Sequence, residues 1–328
     1  MTEVFNEYIE KMRQEIIQAR MNAFKSPSMI PHAEIFAQIM DYNFQSLGKM
    51  LRPTLCALTC DALGGAHDEG IHLGSSIELV HAGSLVHDDL IDEDAFRHGQ
   101  ETVWKKFGVK ASVLFGDILF VNAAVSVRTL PEEHMANAFK ELMDVFGRAS
   151  SGAMREINRS PFDVNDYTEV ISLKTASLFR ASARLGAIAS DCSEDTKHLI
   201  GEYGENIGIA FQIADDLVDV MKSVNEEIPI GDVKEGKITL PLILIYKKYP
   251  ELRRECESYS KGVKDMRQIP GILEKMPEAI DLTRENINGM LEDASKKINM
   301  IPFKNGYKNL MIEYGQYAVK SMLKEAGI

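Results

Sequence analysis

Two five-residue stretches carry the densest chemistry in the chain: Asp88–Asp89–Leu90–Ile91–Asp92 and Asp215–Asp216–Leu217–Val218–Asp219. In a helix, residues four apart share a face about one turn apart. Asp88 with Asp92, and Asp215 with Asp219, would then each aim two carboxylates in one direction. Leu73, Ile77, Val80, Ser84 and Asp88 form one helical stripe, and Gly208, Phe211, Asp215 and Asp219 form another. Each pair therefore continues a stripe whose other members face an interior. A buried pair of like charges costs several kcal/mol unless something compensates it. Divalent cations would do so, and oxygen-only ligands with room for water suit magnesium bound to a diphosphate. One such motif alone reads more readily as a solvated acidic helix face. Two copies on stripe positions of separate helices favour the metal reading. The spacing excludes an EF-hand loop, which needs a glycine and a distal glutamate.

Composition limits what else the chain does. Of its 328 residues, 45% are apolar, enough for a sizeable core and against disorder. The net charge of −12 argues against a nucleic-acid surface, which needs basic groups to neutralise phosphate. Cys56, Cys60, Cys192 and Cys256 form no CxxC pair and read as small core thiols of a reducing, cytoplasmic setting. The stretch Met1–Arg20 is amphipathic and charged, unlike a signal peptide. Asp117 and Asn122 interrupt the most apolar window, 113–127, so no membrane span is expected.

The elements that must position these carboxylates read as helices. Phe5, Tyr8, Ile9, Met12 and Ile16 mark one face of a first helix. Leu310, Met311, Tyr314, Tyr317, Ala318 and Met322 mark a last one. The apolar run Leu240–Tyr246 follows Thr239 and includes Pro241, a helix-start signature. Breaks are expected near Pro27–Pro31, Gly64–Gly65, Pro131, Pro161, Pro229–Gly236, Pro250, Pro270–Pro277 and Pro302. With no repeat and no evident linker, residues 1–328 read as one all-α domain.

The flanks sharpen the reading. In order, the chain carries Gly48–Lys49–Met50–Leu51–Arg52–Pro53, then Glu78 to Asp89 with His81, Gly83, Ser84 and His87, then Arg97–His98–Gly99 and Phe115–Gly116–Asp117. Lys174–Thr175–Ala176–Ser177–Leu178–Phe179 follows, then Phe211–Gln212 before the second motif. Gly231–Asp232–Val233–Lys234–Glu235–Gly236–Lys237 comes after it. Over residues 44 to 245 this series resembles the trans-isoprenyl diphosphate synthases, or polyprenyl synthetases.

The resemblance implies an all-α bundle of antiparallel helices around a deep central cavity, a homodimer, and magnesium, three ions per site, with manganese as a substitute. It implies that Asp88, Asp92, Asp215 and Asp219 hold metal, with Asp89 and Asp216 in support. Arg97, Lys174, Thr175, Gln212 and Lys237 would contact an allylic diphosphate, and Lys49, Arg52, His81 and His98 the isopentenyl diphosphate. Arginine forks phosphate oxygens, and lysine serves as a movable point charge. Singly, each of these cations would be an ordinary surface charge; order and company distinguish them. The implied reaction ionises dimethylallyl, geranyl or farnesyl diphosphate, and isopentenyl diphosphate attacks the resulting cation. No nucleophile elbow or dinucleotide fingerprint is present, consistent with a reaction that needs neither.

Three positions depart from the family pattern. His98 stands where a second arginine is common. Gly152–Ala153 stands for a usual Gly-Gln pair, with Glu156 keeping the acidic position. Glu227 lies near the place of a missing lysine. A terpene cyclase is the first rival reading, disfavoured by the second diphosphate set Lys49, Arg52 and His81. A regulatory subunit without turnover is the second, disfavoured by two intact motifs. Short-chain members of the family place aromatic residues four or five positions before the first motif; here stand Ser84 and Gly83. Val80 and Ile77, with Phe115, Leu119 and Phe120 opposite, would form a deeper floor. A product of twenty to thirty carbons follows.

Overall fold

The computed structural model describes residues 1–23, 34–45, 48–158, 163–226, 237–260 and 270–324. The expected breaks at Pro27–Pro31, Pro161 and Pro229–Gly236, and the position of Glu227, lie outside them. The chain is all-α, as the periodicity predicts. Its helices are α1 (Glu3–Ala23), α2 (Glu34–Asn43), α3 (Leu51–Leu63), α4 (His67–Ile91), α5 (Val103–Phe107), α6 (Val109–Ser126) and α7 (Glu132–Asn158). Then come α8 (Val164–Ile171), a π-helical turn Ser172–Ala176, α9 (Ser177–Ile188), α10 (Glu194–Glu226), α11 (Leu240–Lys248), α12 (Pro250–Ser260), α13 (Pro270–Asn299) and α14 (Tyr307–Leu323). Strands among the described residues are two dipeptides, β1 (Phe96–Arg97) and β2 (Gln100–Glu101), paired antiparallel with Arg97 opposite Gln100.

The residues fall into two compact units, each carrying one aspartate motif. The first comprises Met1–Gly147, Ala181–Gly201 and Ile301–Met311; the second comprises Arg148–Arg180, Glu202–Met300 and Ile312–Ile328. In the first unit the predicted face of α1 is buried: Phe5, Ile9, Met12 and Ile16 all turn inward. Met12 and Ile16 pack with Met50, Ala57 and Ile71. Helix α6 with the turn after it, Val109–Thr129, is long and apolar enough to cross a bilayer by length and composition. Its inner side, with Phe115, Leu119, Asn122 and Ala123, is buried in the unit.

The second unit has its own core, built from Ile209, Ile213, Leu217 and Val220 of α10, Leu242 and Ile245 of α11, and Ile272, Met276 and Ala279 of α13. Helix α11 begins as predicted, with Thr239 as its N-cap and Pro241 in its first turn. Pro270 starts α13, but that helix continues through Pro277, where a break was expected. The missing N–H of Pro277 forgoes one intrahelical bond, and the helix survives because Met276, Ala279 and Ile280 on its inner face are buried.

His134 ties three segments of the first unit. Its Nδ1 meets the Glu69 carboxylate at the start of α4, and its Nε2 lies 2.9 Å from Asp191. Carboxylates only accept, so both nitrogens donate and the ring is an imidazolium. Burial pulls its pKa down, and the hydrogen bonds to Asp191 and Glu69 more than offset this, so the pKa is raised. Unfolding returns the ring to its ordinary value near 6.5. The stabilisation is therefore complete below about pH 6.5 and fades as pH rises through the folded value. Urea midpoints of wild type and His134→Gln should differ by about 1–3 kcal/mol at pH 6, and converge as the pH is made alkaline. A gap independent of pH would show that the ring is neutral in the folded protein.

Candidate active site

The first motif closes a helix. Asp88 and Asp89 lie in the last turn of α4, and Asp92 is its C-cap, donating its N–H to the Asp88 carbonyl at 2.8 Å. Glu93 follows in the left-handed region with φ 56°, and the Asp94 N–H donates to the Asp89 carbonyl at 2.9 Å. This wrap usually uses glycine at the left-handed position. A helix C-terminus is also the negative end of its dipole. Three aspartates thus gather where the backbone already repels them, and a cation is the natural complement.

Burial along the predicted stripe of α4 falls steadily. Leu73, Ile77 and Val80 are buried, Ser84 and Asp88 are half-buried, and Asp92 is exposed. The expected interior pair is therefore corrected: the buried carboxylate is Asp89, 5% exposed. Burial pushes its pKa up, against the pull of Arg97, whose Nε donates to Asp89 Oδ1 at 2.5 Å. Arg97 is held by the β1–β2 hairpin. The two turn residues, His98 and Gly99, have φ of 51° and 76°, as a tight two-residue hairpin requires. Histidine is among the side chains found more often in that region, and His98 is exposed at the tip. Thr102 Oγ1 and Trp104 Nε1 donate to the Asp94 carbonyl at 2.7 and 2.8 Å, fixing the segment between motif and hairpin.

Arg52 and His81, grouped in the sequence reading, do meet. Arg52 Nη1 lies 3.0 Å from His81 Nε2. A guanidinium only donates, so His81 accepts there and is neutral, with its proton on Nδ1. Burial, then the charges of Arg52 and Arg97, hold its pKa well below the usual value. Lys49 is half-buried, just before the left-handed Met50 that precedes α3. Of the two small residues before the motif, Gly83 has no open space beside it. A Cβ there would stand 3.0 Å from the Phe120 ring and 3.2 Å from the Gly116 carbonyl. Phe120 in turn packs against Phe146 and His87. Gly83 thus lets α4 and α6 approach, and Ser84 is the half-buried one.

In the second unit α8 and α9 flank a π-helical turn that contains Lys174 and Thr175. One extra residue per turn widens the helix there, a feature common at functional sites. Gly152 of α7 makes room: a Cβ at that position would lie 2.7 Å from the Lys174 nitrogen. Lys174 Nζ donates to Glu156 at 2.5 Å. Thr175 Oγ1 donates to Gln212 Oε1 at 2.7 Å, and Gln212 Nε2 reaches Asp215 at 3.2 Å and Asp216 at 3.0 Å. The remaining oxygen of Asp216 accepts from Tyr167 at 2.5 Å. Here too the second aspartate is the one drawn inward. Burial pushes the Asp216 pKa up to about 7, although both donors act to lower it. Asp215 is exposed, while Asp219 and Lys237 are half-buried.

Tyr167 did not figure in the sequence reading. It lies seven residues, two helical turns, before Lys174, and a buried phenol always calls for a partner. Residues 231–236 lie outside the described residues. Asp88, Asp92, Asp215 and Asp219 present carboxylate oxygens alone, which fits a hard divalent ion. A different group, Glu133, His134 and Asp191, also brings ligand-type atoms within 4.8 Å. Its histidine already donates from both nitrogens to carboxylates, so it is an ion-pair cluster.

Residues 33–276 match the family model described as polyprenyl synthetase. The chain is 31% identical over 281 residues to the geranylgeranyl pyrophosphate synthase of Geoglobus acetivorans, covering 83% of this chain and 86% of that one. It is 27% identical over 302 residues to the octaprenyl diphosphate synthase of Escherichia coli, covering 90% and 93%. Among solved structures, the geranylgeranyl pyrophosphate synthetase of Pyrococcus horikoshii superposes with a TM-score of 0.84 at 27% identity, over 97% of this chain and 99% of that one. With its two aspartate motifs set in an all-α fold of this kind, the chain belongs to the polyprenyl synthetase family.

Proposed function

We propose that this chain makes an all-trans polyprenyl diphosphate of twenty to thirty carbons, using Asp88, Asp92, Asp215 and Asp219 to hold magnesium. Family membership makes it a trans-prenyltransferase, joining isopentenyl diphosphate head to tail to an allylic diphosphate with release of pyrophosphate. The observation that carries the metal assignment is the recurrence of the motif, three aspartates offering oxygen ligands alone on each of two helices, α4 with its C-cap and α10. Asp89 and Asp216 are engaged inward by Arg97, Tyr167 and Gln212. Asp92 and Asp215 are exposed, and Asp88 and Asp219 are half-buried, as Asp216 also is.

Magnesium, when bound, screens the diphosphate charge and stabilises the departing pyrophosphate. Lys174, Thr175, Gln212, Lys237 and Arg97 are assigned to the allylic diphosphate, and Lys49, Arg52, His81 and His98 to isopentenyl diphosphate. Arg52 uses one nitrogen on His81, which orients the guanidinium. The neutral ring of His81 fits this role, since it accepts from Arg52 and keeps a proton to donate at Nδ1. Ionisation gives an allylic cation, the isopentenyl double bond attacks it, and a proton leaves to pyrophosphate. The side chains orient the two substrates and exclude water from the cation.

The growing chain is proposed to run along α4 away from Asp88, past Ser84 toward Val80 and Ile77. Phe120 fills the space beside Gly83, so Ser84 is the position that tests the floor. The working form is proposed to be a cytoplasmic homodimer. Helix α1 turns its apolar face, Phe5, Ile9, Met12 and Ile16, into its own unit. Among the described residues, α6 and α7 expose Val109, Val113, Leu114, Val121 and Phe139, besides apolar residues elsewhere such as Val4, Ile35 and Phe96. Exposed apolar residues recurring along one helix are proposed as the interaction surface. Sedimentation velocity at micromolar concentration should show a dimer, and Leu114→Glu should shift it toward monomer; a monomeric wild type would refute the assignment.

Incubation with magnesium, labelled isopentenyl diphosphate and single allylic primers reads the function directly. Omitting isopentenyl diphosphate should abolish product, whereas a cyclase would still turn over. Chelation should abolish turnover. Asp88→Ala and Asp215→Ala should each lower kcat by at least about 100-fold with melting temperatures close to wild type. Near-normal turnover in either would remove that carboxylate from the metal set. Ser84→Phe should raise the floor by about one turn, roughly 5 Å, and shorten the product by at least one isoprene unit. An unchanged product length would place the floor elsewhere.

A further inference from the structure

We propose that Tyr167 is a positioning residue, whose hydroxyl, through Asp216 and the Gln212 amide, sets the orientation of the Asp215 carboxylate. The inference rests on the metal–diphosphate reading above and adds to it a residue outside both aspartate motifs.

Tyr167 is 3% exposed and packs in the core of the second unit with Ile171, Ile213, Ala214 and Leu217. Its backbone is also fixed. Asp163 caps α8 by accepting from the N–H groups of Asn165 and Asp166, and the Tyr167 N–H donates to the Asp163 carbonyl at 3.0 Å. A ring gripped by core packing leaves its hydroxyl one place to point, and there it meets Asp216 Oδ2 at 2.5 Å.

From Asp216 the linkage runs to Asp215 through one amide. Asp216 Oδ1 accepts from Gln212 Nε2 at 3.0 Å, and the same nitrogen lies 3.2 Å from Asp215 Oδ2. Carboxylates cannot donate, so the Gln212 atom facing both must be the nitrogen. Its oxygen then faces Thr175, whose hydroxyl donates at 2.7 Å. Every orientation in this chain is determined by its neighbour. Asp215, exposed on α10 and assigned to metal, lies at the open end. Tyr167 lies at the buried end, the one member anchored by packing. Without the hydroxyl, one Asp216 oxygen loses its donor and the carboxylate can rotate, carrying the amide with it. Removing such outer hydrogen bonds weakens metal binding by about 10–100-fold in known sites.

The test is Mn2+ binding, followed by electron paramagnetic resonance in the presence of inorganic pyrophosphate, on wild type, Tyr167→Phe, Asp216→Asn and Tyr167→Phe/Asp216→Asn. Tyr167→Phe keeps the ring and its packing. It should raise the Mn2+ dissociation constant about 10-fold and raise the half-saturating magnesium for turnover by a similar factor. The KM for isopentenyl diphosphate should stay within about twofold. The double variant should bind no more weakly than Asp216→Asn alone, because one linkage is cut twice. Gln212→Leu, which removes the middle link, should reproduce the shift if Tyr167→Phe proves unstable. A packing role alone would lower the melting temperature and leave the metal half-saturation in place. Equal Mn2+ binding by wild type and Tyr167→Phe, or losses that multiply in the double variant, would overturn the proposal. A wild type that binds no Mn2+ with pyrophosphate would overturn the metal reading, and this proposal with it.

Discussion

Everything else in this structure depends on how ionised carboxylates are kept at the ends and faces of packed helices. Two unit charges about 5 Å apart repel by about 3 kcal/mol at the effective dielectric of a protein surface. The chain answers the same way in both motifs, with different chemistry. At the first, Asp89 is drawn in and met by a guanidinium. At the second, Asp216 is drawn in and met by two neutral donors, a phenol and an amide. The difference shows in the pKa values. Asp89 is raised by burial against the opposing charge of Arg97, whereas Asp216, buried beside two neutral donors, reaches about 7. In each case the second aspartate of the motif is held by side chains of the protein.

That commitment sets demands on elements far from the motifs in sequence. Arg97 must reach back eight residues, which takes a hairpin with two consecutive left-handed residues and a loop pinned through the Asp94 carbonyl. Tyr167 must point into α10, which takes a capped α8. Thr175 must face Gln212 while Lys174 faces Glu156. Adjacent residues on a regular helix point about 100° apart. The π-helical turn changes that angle locally, and it fits only because α7 offers no side chain at Gly152.

Much of this was legible in the sequence, and the boundary is physical. The stripe of α1, the start of α11 and the all-α class follow from apolar periodicity, which local spacing alone carries. The motifs and their ordered flanks carried the family. What could not be read were features decided by contacts between distant segments. Burial falls off along α4 because of what covers its N-terminal part, so the pair expected in the interior emerges half-buried at Asp88 and exposed at Asp92. The π-helical turn depends on Gly152, some twenty residues upstream. Pro277 reads as a break, yet core contacts on its inner face carry the helix through. Gly83 was read chiefly as space for a product, whereas a neighbour forty positions away, Phe120, already occupies that space. Tyr167 carries no motif, and only its geometry gives it a role.

The departures from the family pattern fit the same logic. His98 occupies a left-handed turn position that its side chain tolerates, so the hairpin that aims Arg97 keeps its geometry. Ala153 supplies no amide beside the π-helical turn, but Glu156, one turn further along α7, still reaches Lys174. This pairing keeps a partly buried ammonium from standing alone, at the cost of occupying it. The diphosphate contact proposed for Lys174 would use the three donors of its ammonium, shared with Glu156 or exchanged for it, and a flexible four-carbon stem suits either. A rigid guanidinium in the same place would be harder to move. Arginine stands instead on the hairpin, where Arg97 Nε donates to Asp89. The two cations differ in type as their settings do: Arg97 is aimed at Asp89 by a tight hairpin, whereas Lys174 meets Glu156 from a π-helical turn.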